Sequence, residues 1–362
     1  MKNNYTNTRL EFHILQSFPT SCLNRDDVGA PKSAVIGGIQ RARVSSQCWK
    51  RAVRLTLHEL GIKTASRTRL VVHKIAEECK KRGASDEQAK ACGEAFAKSF
   101  AKSVKEYVSD TMFFISPSEA VGVSEAYEQN GFDASKLKDK ELVKLCKSSI
   151  NPAHDGLDIA LFGRMVANAP EMNVEAAASF AHAISTHKAA AEVEFFTAVD
   201  DCRANDESGS GHMGSLEYNS ATYYRYISLD LGQLAENMKA EGNPEEISKA
   251  VEAFTKALFI AIPSARQKTM AAACPWNHAV ITLRKGQNIQ LNFNTPVGPV
   301  YGGKDLIALS TEKMNEQLNR IENMYGSLYG LQKKFEFGLD TTNSIDDLIN
   351  DITEAIKSLS QQ

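Results

Sequence analysis

Segments with strand-like patterns lie towards both ends of this chain, and a long stretch with helical patterning separates them. Residues 9–16 alternate between apolar and polar side chains, with Leu10, Phe12 and Ile14 on one side, which is typical of a half-buried strand. Residues 63–190 are rich in Ala, Lys and Glu and carry few strand signals. A sheet interrupted by a large helical insertion is therefore predicted, and the predicted fold class is α+β.

Other segments add helices and strands to this framework. The periodicity and capping signals predict helices at 45–60, 71–82, 86–109, 137–150, 174–187, from Asn243 to about 260, at 311–324 and at 344–359. Strands are predicted at 223–229, 279–284 and 289–293. Residues 191–220 predict a long hairpin whose polar tip lies at 201–214.

Composition excludes several classes of protein. The 362 residues are 43% hydrophobic and 24% charged, close to the averages for soluble globular chains. The apolar runs are far shorter than the ~20 residues of a membrane span, and the first residues do not resemble a signal peptide. The seven widely spaced cysteines contain no CxxC pair, which favours free buried thiols. We expect a cytoplasmic protein without membrane contact.

Positive charge is concentrated at the front of the chain. Residues 1–110 hold 20 Lys and Arg against 11 Asp and Glu, whereas the remainder holds 22 against 33. A polyanionic partner at one face, or head-to-tail stacking of identical subunits, would suit this asymmetry.

The common catalytic and metal-binding motifs are absent. The sequence contains no HExxH, GxSxG or P-loop pattern. Gly209–Gly214 satisfies GxGxxG but follows an acidic loop rather than a strand, so it does not predict a dinucleotide site. Asp155 and Asp158 are interpreted as solvated carboxylates rather than magnesium ligands. No metal, no cofactor and no enzymatic activity are predicted.

Residues 28–58 form the most informative stretch, because they include six cations and no carboxylate. On a helical wheel, Gln47, Lys50, Arg51, Arg54 and His58 fall on one half and Trp49 and Val53 on the other. Ser45 or Ser46 can cap this helix, and a capped helix N-terminus attracts anions. The pattern indicates phosphate binding in series, with a solvated basic helix as the alternative.

Several motifs carry a family resemblance. In order along the chain they are Ser21–Asp27, Gly37–Arg54, Gly156–Met165, Ala181–His187, Phe195–Asp201, His212–Tyr226 and Ile262–Thr269. With this order and spacing, the chain resembles the CasC backbone subunits of type I-E CRISPR Cascade, over roughly half of its length. Segments 62–150 and 275–362 match poorly.

The resemblance implies a right-hand architecture. An RRM-like, ferredoxin-like palm would comprise residues 1–62 and 221–362, a helical fingers insertion residues 63–190 and a β-hairpin thumb residues 191–220. It implies that about six copies stack as a filament on one guide RNA (crRNA) and leave bases free to pair with a target DNA strand in antiviral defence. Implied partners are the large, small, repeat-end-binding and RNA-processing subunits of the complex. No RNP1 pattern is present, so the palm is expected to use phosphates rather than base stacking.

The matched motifs nominate site residues. Candidates for guide phosphate contact are Arg25, Lys32, Arg41, Arg43, Ser45, Gln47, Lys50, Arg51 and Arg54, with Lys50 and Arg54 as the leading pair. Phe195 and Phe196 are candidate wedge residues, one of which would meet bases while the other anchors the hairpin. Arg164 and Met165 are candidates for base contact, with core packing an equal alternative for Met165. Arg266 and Lys268 could contact nucleic acid or form surface salt bridges.

Two other functions stay open at this point. Asp26 or Asp27 lies in a loop where related CRISPR backbone proteins carry an RNA-cleaving aspartate, although pairing with Arg25 or with a neighbouring backbone is the favoured interpretation. The basic helix could instead read a DNA major groove in a stand-alone regulator, but a helix-turn-helix needs a second short helix just before it. A Gly-Gly loop occupies that position.

Overall fold

The computed structural model describes residues 3–198, 212–298 and 304–360. The strands are β1 (Thr8–Ser21), β2 (Ser33–Ile36), β3 (Ile39–Val44), β4 (Ser66–Thr68), β5 (Val104–Lys105), β6 (Val108–Ser109), β7 (Phe113–Ile115), β8 (Ala178–Phe180), β9 (Ala183–Ser185), β10 (Glu192–Ala198), β11 (His212–Asp230), β12 (His278–Lys285) and β13 (Leu331–Gly338). The helices are α1 (Ser46–Glu59), α2 (Val71–Lys81), α3 (Asp86–Phe100), α4 (Pro117–Gln129), α5 (Asp139–Ser149), α6 (Pro152–Asp155), α7 (Leu157–Phe162), α8 (Leu231–Met238), α9 (Pro244–Ile260), α10 (Gln267–Met270), α11 (Leu306–Tyr325) and α12 (Ile345–Leu359). The α+β fold class is confirmed.

One large antiparallel sheet organises the molecule. Its strand order is β13-β12-β1-β11-β9-β3-β2, with β8 and β10 also paired to β11. β1 lies at the centre, where Leu10 pairs with Leu229 of β11 on one side and Leu283 of β12 on the other. The predicted strand at 9–16 is therefore present as part of β1.

Helices cover one face of the sheet. Leu10, Phe12 and Ile14 point into a core shared with α1, α8, α9 and α12. Phe254 of α9 and Ile356 of α12 are fully buried there. Their apolar stripes follow the helical period that the sequence showed, and burying them against the sheet stabilises the layer.

The opposite face of β1 is also buried, so the prediction of a half-buried strand is wrong. Glu11 accepts hydrogen bonds from Arg284, the Tyr226 hydroxyl and, at 2.8 Å, the backbone N–H of Ile289. His13 lies 2.9 Å from the Tyr224 hydroxyl, and burial lowers its pKa to about 4. A buried polar network of this kind persists because its donors and acceptors have partners.

The segment at 287–298 covers that face without joining the sheet. The strand predicted at 289–293 does not form, because its backbone N–H groups are bonded by side chains instead: Ile289 to Glu11, and Leu291 to the Tyr224 hydroxyl at 3.1 Å. Leu291 and Phe293 are buried against the sheet.

A second core holds the helices between residues 71 and 149. Val72, Ile75, Phe96 and Tyr127 pack there, apart from the sheet. The helices predicted at 71–82 and 137–150 are confirmed, as are the two C-terminal ones. The helix predicted at 86–109 ends at Phe100, and the short β5–β6 hairpin follows it.

The prediction of a helix at 174–187 is wrong. This segment forms β8 and β9, in which Phe180 pairs with Ile227 and Ser185 with Tyr223 of β11. The alanines in this segment favour a helix locally, but the edge of β11 supplies backbone partners that outweigh the local preference.

A β-hairpin with a two-residue turn precedes α1. Gly37 and Gly38 form the turn between β2 and β3 with positive φ of 60° and 77°, which suits glycine. A Cβ at Gly37 would lie 2.5 Å from the backbone oxygen of Asn294. Because strands rather than a short helix precede α1, the helix-turn-helix alternative fails.

β10 and the first half of β11 pair as the arms of a hairpin. The register runs from Glu192 opposite Tyr218 to Ala198 opposite His212. Most of the predicted tip at 201–214 lies outside the described residues.

Among the helices described, none is long and apolar enough to cross a membrane. The cysteines at 22, 48, 79, 92, 146 and 274 are free.

Candidate nucleic-acid interface

Helix α1 positions three of the predicted cations, Lys50, Arg51 and Arg54. The Ser45 hydroxyl accepts the backbone N–H of Cys48 at 3.2 Å, so Ser45 is the N-cap, as predicted. Trp49 and Val53 anchor the helix in the core. As the cap, the Ser45 hydroxyl oxygen accepts a hydrogen bond, and its O–H hydrogen is still able to donate to a phosphate.

A groove beside the N-terminus of α1 contains no carboxylate. Its volume is about 580 Å³. Its lining residues are Ser33, Ala34, Ile36, Arg43, Ser46, Phe180, Ala181, His182, Ile184 and Gln290. We call it the acid-free groove. Arg43 is the cation in this lining, and a groove with a cation and no acid holds a positive potential that suits an anion.

Lys50 and Lys32 extend the positive charge of the acid-free groove. The Lys50 ammonium lies 5.8 Å from the centre of the Phe180 ring, and partial burial lowers its pKa. Burial lowers the pKa of His182, and the positive charges of Arg43 and Lys32 lower it further, so both cations lie close to that imidazole. Neither lysine forms an ion pair with any residue in the described ranges.

His182 was not nominated from the sequence as a phosphate contact. Its Nδ1 atom accepts the backbone N–H of Ser46 at 2.9 Å. The two residues are 136 positions apart, so no local pattern could have indicated that they meet.

A second groove lies along the other side of α1. Its volume is about 980 Å³, and Arg25, Arg51 and Arg266 line it. We call it the arginine groove. None of these three arginines forms an ion pair within the described part of the chain. Asp26, Asp27 and Glu59 also line the groove, so its formal charges balance.

Asp26 holds the loop that borders the arginine groove. Its Oδ1 accepts the backbone N–H groups of Val28 at 3.0 Å and Ala30 at 2.9 Å. Of the two favoured partners, Asp26 therefore pairs with the neighbouring backbone and not with Arg25. In the residues described, no three His, Cys, Asp or Glu side chains are grouped as a metal site would need.

Arg54 was one of the two leading candidates, and the structure places it elsewhere. Its guanidinium donates to Asp158 at 2.7 Å and to the backbone oxygen of Ala65, and it stacks 4.9 Å from the Phe114 ring centre. Asp158 is fully buried, and burial raises its pKa. A buried carboxylate needs this partner, so Arg54 joins α1 to the helical region instead of facing a phosphate.

Arg41 and Arg164 are buried as well. Arg41 donates to the backbone oxygens of Ser185 at 2.7 Å and Phe293 at 3.0 Å. Arg164 pairs with the buried Glu119 at 2.7 Å. Both guanidiniums are therefore bonded inside the protein, and the structure does not present them to a nucleic acid. Asp155, predicted to be solvated like Asp158, is also buried and accepts the Ser118 N–H.

The remaining candidates are accessible. Gln47 is exposed at the start of α1, and Lys268 is exposed on α10. Met165 is 83% exposed beside the partly exposed Met112, which excludes core packing for Met165.

The two candidate wedge residues point to opposite faces of the β10–β11 hairpin. Phe195 is 65% exposed and shares its face with the exposed Val193 and Met213. Phe196 lies across from Gly214, where an added Cβ would come within 2.6 Å of the ring. Phe196 thus packs on the hairpin itself rather than in the core, and Phe195 is the residue available to a partner.

Comparisons with known proteins agree over nearly the whole chain. A chain of a solved "CRISPR RNA-guided surveillance complex, pre-nicking" is similar with a TM-score of 0.82 and 27% identity, over 96% of this chain and 100% of that one. A chain of another "CRISPR RNA-guided surveillance complex" shares the fold, with a TM-score of 0.71 and 22% identity over 96% and 99% of the two chains. No curated protein sequence matches. The sequence profile of the CT1975-like protein family matches residues 10–360, and the chain therefore belongs to that family.

Proposed function

We propose that this protein is a guide-RNA-binding backbone subunit of a CRISPR surveillance complex, of the CasC type. The similarity to a chain of an RNA-guided complex at 27% identity, over almost the full length of both, supports this assignment. The type I-E assignment rests on the order and spacing of the seven sequence motifs.

The observation that carries the proposal is the acid-free groove. Arg43 lines it, and Lys50 and Lys32 stand beside it without ion-pair partners in the described ranges. A ribose-phosphate backbone presents a regular row of anions, and unpaired cations in a carboxylate-free groove fit that row. The groove lacks the side-chain acids that would repel a phosphate.

The arginine groove supplies a second kind of contact. Its three unpaired guanidiniums are balanced by three carboxylates, so it adds little net field. Arginine forks bind phosphate oxygens in fixed geometry, and Arg25, Arg51 and Arg266, with Lys268 nearby in sequence, position the guide at defined points.

Recognition of the backbone leaves the bases free. Phe195 on the hairpin and Met165 in the helical region are exposed apolar side chains that would contact bases. The other bases would pair with a target DNA strand, so base pairing reads the sequence. About six copies would stack along one guide with the other subunits of the complex.

We propose no reaction for the subunit itself. The Oδ1 atom of Asp26 accepts two backbone N–H groups of its own loop, which supports a structural role for this carboxylate. Cleavage of the target would belong to a separate nuclease.

Sequencing of copurified nucleic acid tests the proposal. The tagged protein is isolated from its native host, and short RNAs of uniform length with repeat-derived ends and variable middles are expected. Lys50→Gln should lower the recovered RNA, whereas Lys249→Gln, the same change at an exposed lysine of α9, should not. Recovery of duplex DNA, or of no nucleic acid, would overturn the proposal.

A further inference from the structure

His182 stands where the backbone of β3, the start of α1 and the β8–β9 connection meet. Its imidazole is exposed in the acid-free groove beside Arg43 and Ser46. Nδ1 lies 2.9 Å from the Ser46 nitrogen. A backbone N–H can only donate, so Nδ1 accepts and carries no proton. The neutral ring therefore carries its hydrogen on Nε2.

The Nε2–H of His182 has no hydrogen-bond partner within residues 3–198, 212–298 and 304–360. The cations Arg43 and Lys32 lie near the ring, and no carboxylate lines the groove. The ligand that suits this site accepts a hydrogen bond and carries negative charge. A phosphate oxygen has both properties.

The hydrogen bond from Ser46 strengthens this donor. Ser46 is the first residue of α1, where the aligned peptide dipoles place positive partial charge. Because Ser46 donates to Nδ1, the imidazole passes that polarisation on to Nε2–H, as in other hydrogen-bond chains. The first amide of α1 would thus act on an anion through the ring instead of touching it.

We propose that His182 is a neutral phosphate ligand for the guide RNA, held in its donor tautomer by the backbone N–H of Ser46. The inference rests on the proposed guide-binding function. It assigns the acid-free groove two kinds of contact, from cations and from an uncharged donor.

Asparagine separates the two roles of the ring. In His182→Asn the carboxamide oxygen is as many bonds from the backbone as Nδ1, so it can still accept from Ser46, but nothing reaches the Nε2 position. Binding is measured on the full chain with a fluorescein-labelled single-stranded RNA at several salt concentrations. We expect affinity to fall about tenfold, the value of one hydrogen bond to a charged group. The slope of log K against log salt should stay unchanged, because a neutral donor releases no counterion.

Two substitutions at Ser46 test the positioning role. Ser46→Pro removes the N–H while Pro is well tolerated at the first helical position, and Ser46→Ala keeps the N–H as a matched control. We expect Ser46→Pro to weaken binding and Ser46→Ala to bind as the unmodified chain does. In a His182→Asn background, Ser46→Pro should cause no further loss, because the two residues act through one contact.

Each outcome decides between the alternatives. Unchanged affinity in His182→Asn would overturn the inference. A salt slope that falls in His182→Asn as it does in Lys50→Gln would also overturn it. So would a further loss of affinity when Ser46→Pro is added to His182→Asn. If Lys50→Gln weakens binding and His182→Asn does not, only the His182 inference fails. If the unmodified chain binds RNA no more tightly than Lys50→Gln, the proposed function itself fails. Thermal melting by circular dichroism verifies that each variant is folded.

Discussion

The guanidinium of Arg54 lies 2.7 Å from the carboxylate of Asp158, which is fully buried. Arg54 shares α1 with Lys50, yet the two side chains have different surroundings: Lys50 stands at the acid-free groove, and Arg54 joins α1 to α7. One basic helix therefore carries a structural ion pair one turn away from the lysine that we propose to bind the guide.

The first prediction concerns stability. Arg54→Ala leaves the Asp158 carboxylate buried without its cation, which is expected to cost about 3 kcal/mol of unfolding free energy. Lys50→Ala should change that free energy by less than about 0.5 kcal/mol. Urea unfolding of both variants measures the difference. Equal effects would contradict the assignment of separate roles.

The second prediction concerns salt. Lys50→Gln should reduce the slope of log K against log salt for single-stranded RNA by about 0.7, the share of one phosphate contact. Arg51→Gln should do the same if the arginine groove also holds phosphates. Lys249→Gln serves as the control for a general change of charge. A slope that neither Lys50→Gln nor Arg51→Gln alters would show that neither groove binds the backbone of the RNA.

The third prediction concerns pH. The pKa of buried His13 is lowered to about 4 in the folded protein, against ~6.5 in the unfolded chain. The unfolded state therefore binds the proton more readily, and stability is lost as pH falls from about 6.5 towards 4. Between pH 7 and pH 5 the loss from this residue should be about 2 kcal/mol.

The control for this pH effect is His13→Gln, which keeps a polar side chain that does not titrate. Other histidines with lowered pKa, such as His187 and His278, remain in both proteins. Between pH 7 and pH 5, the unfolding free energy from urea titration should fall by about 2 kcal/mol less in His13→Gln than in the unmodified protein. The same dependence in both proteins would contradict the prediction.

The fourth prediction distinguishes the two phenylalanines of the hairpin. Phe195→Ala should leave thermal stability unchanged, because the ring is exposed, but remove a base contact of ~1–3 kcal/mol. Guides carrying 2-aminopurine at successive positions report stacking through fluorescence. We expect a periodic signal in assembled complexes that Phe195→Ala abolishes. Loss of the signal in Phe196→Ala alone would reverse the assignment.

Helix α1 was predictable because its signals are local. Ser45 caps it, and Trp49 and Val53 follow the helical period, all within nine residues. The α+β class followed from the strand-like segments towards both ends of the chain and the helical stretch between them. The segment at 174–187 failed because its strands exist only through pairing with β11, which local propensity does not record.

The site was predictable in part, for a related reason. The cluster of cations in the sequence was real, but Arg41 meets Ser185 across 144 positions, and Arg54 meets Asp158 across 104. A count of charges cannot distinguish a free cation from one whose partner comes from a distant segment. His182 was missed for the same reason, because its partner Ser46 lies on another element.

β11 is a single strand of 19 residues that begins in the hairpin and ends beside β1. At about 3.3 Å per residue it extends for roughly 60 Å. The β11 arm of the hairpin continues into the middle of the sheet without an intervening loop, so a load on that arm passes along the strand as shear on the hydrogen bonds to β1. β11 is thus one continuous element under load, and the length of the strand sets how far its hairpin arm extends beyond the sheet.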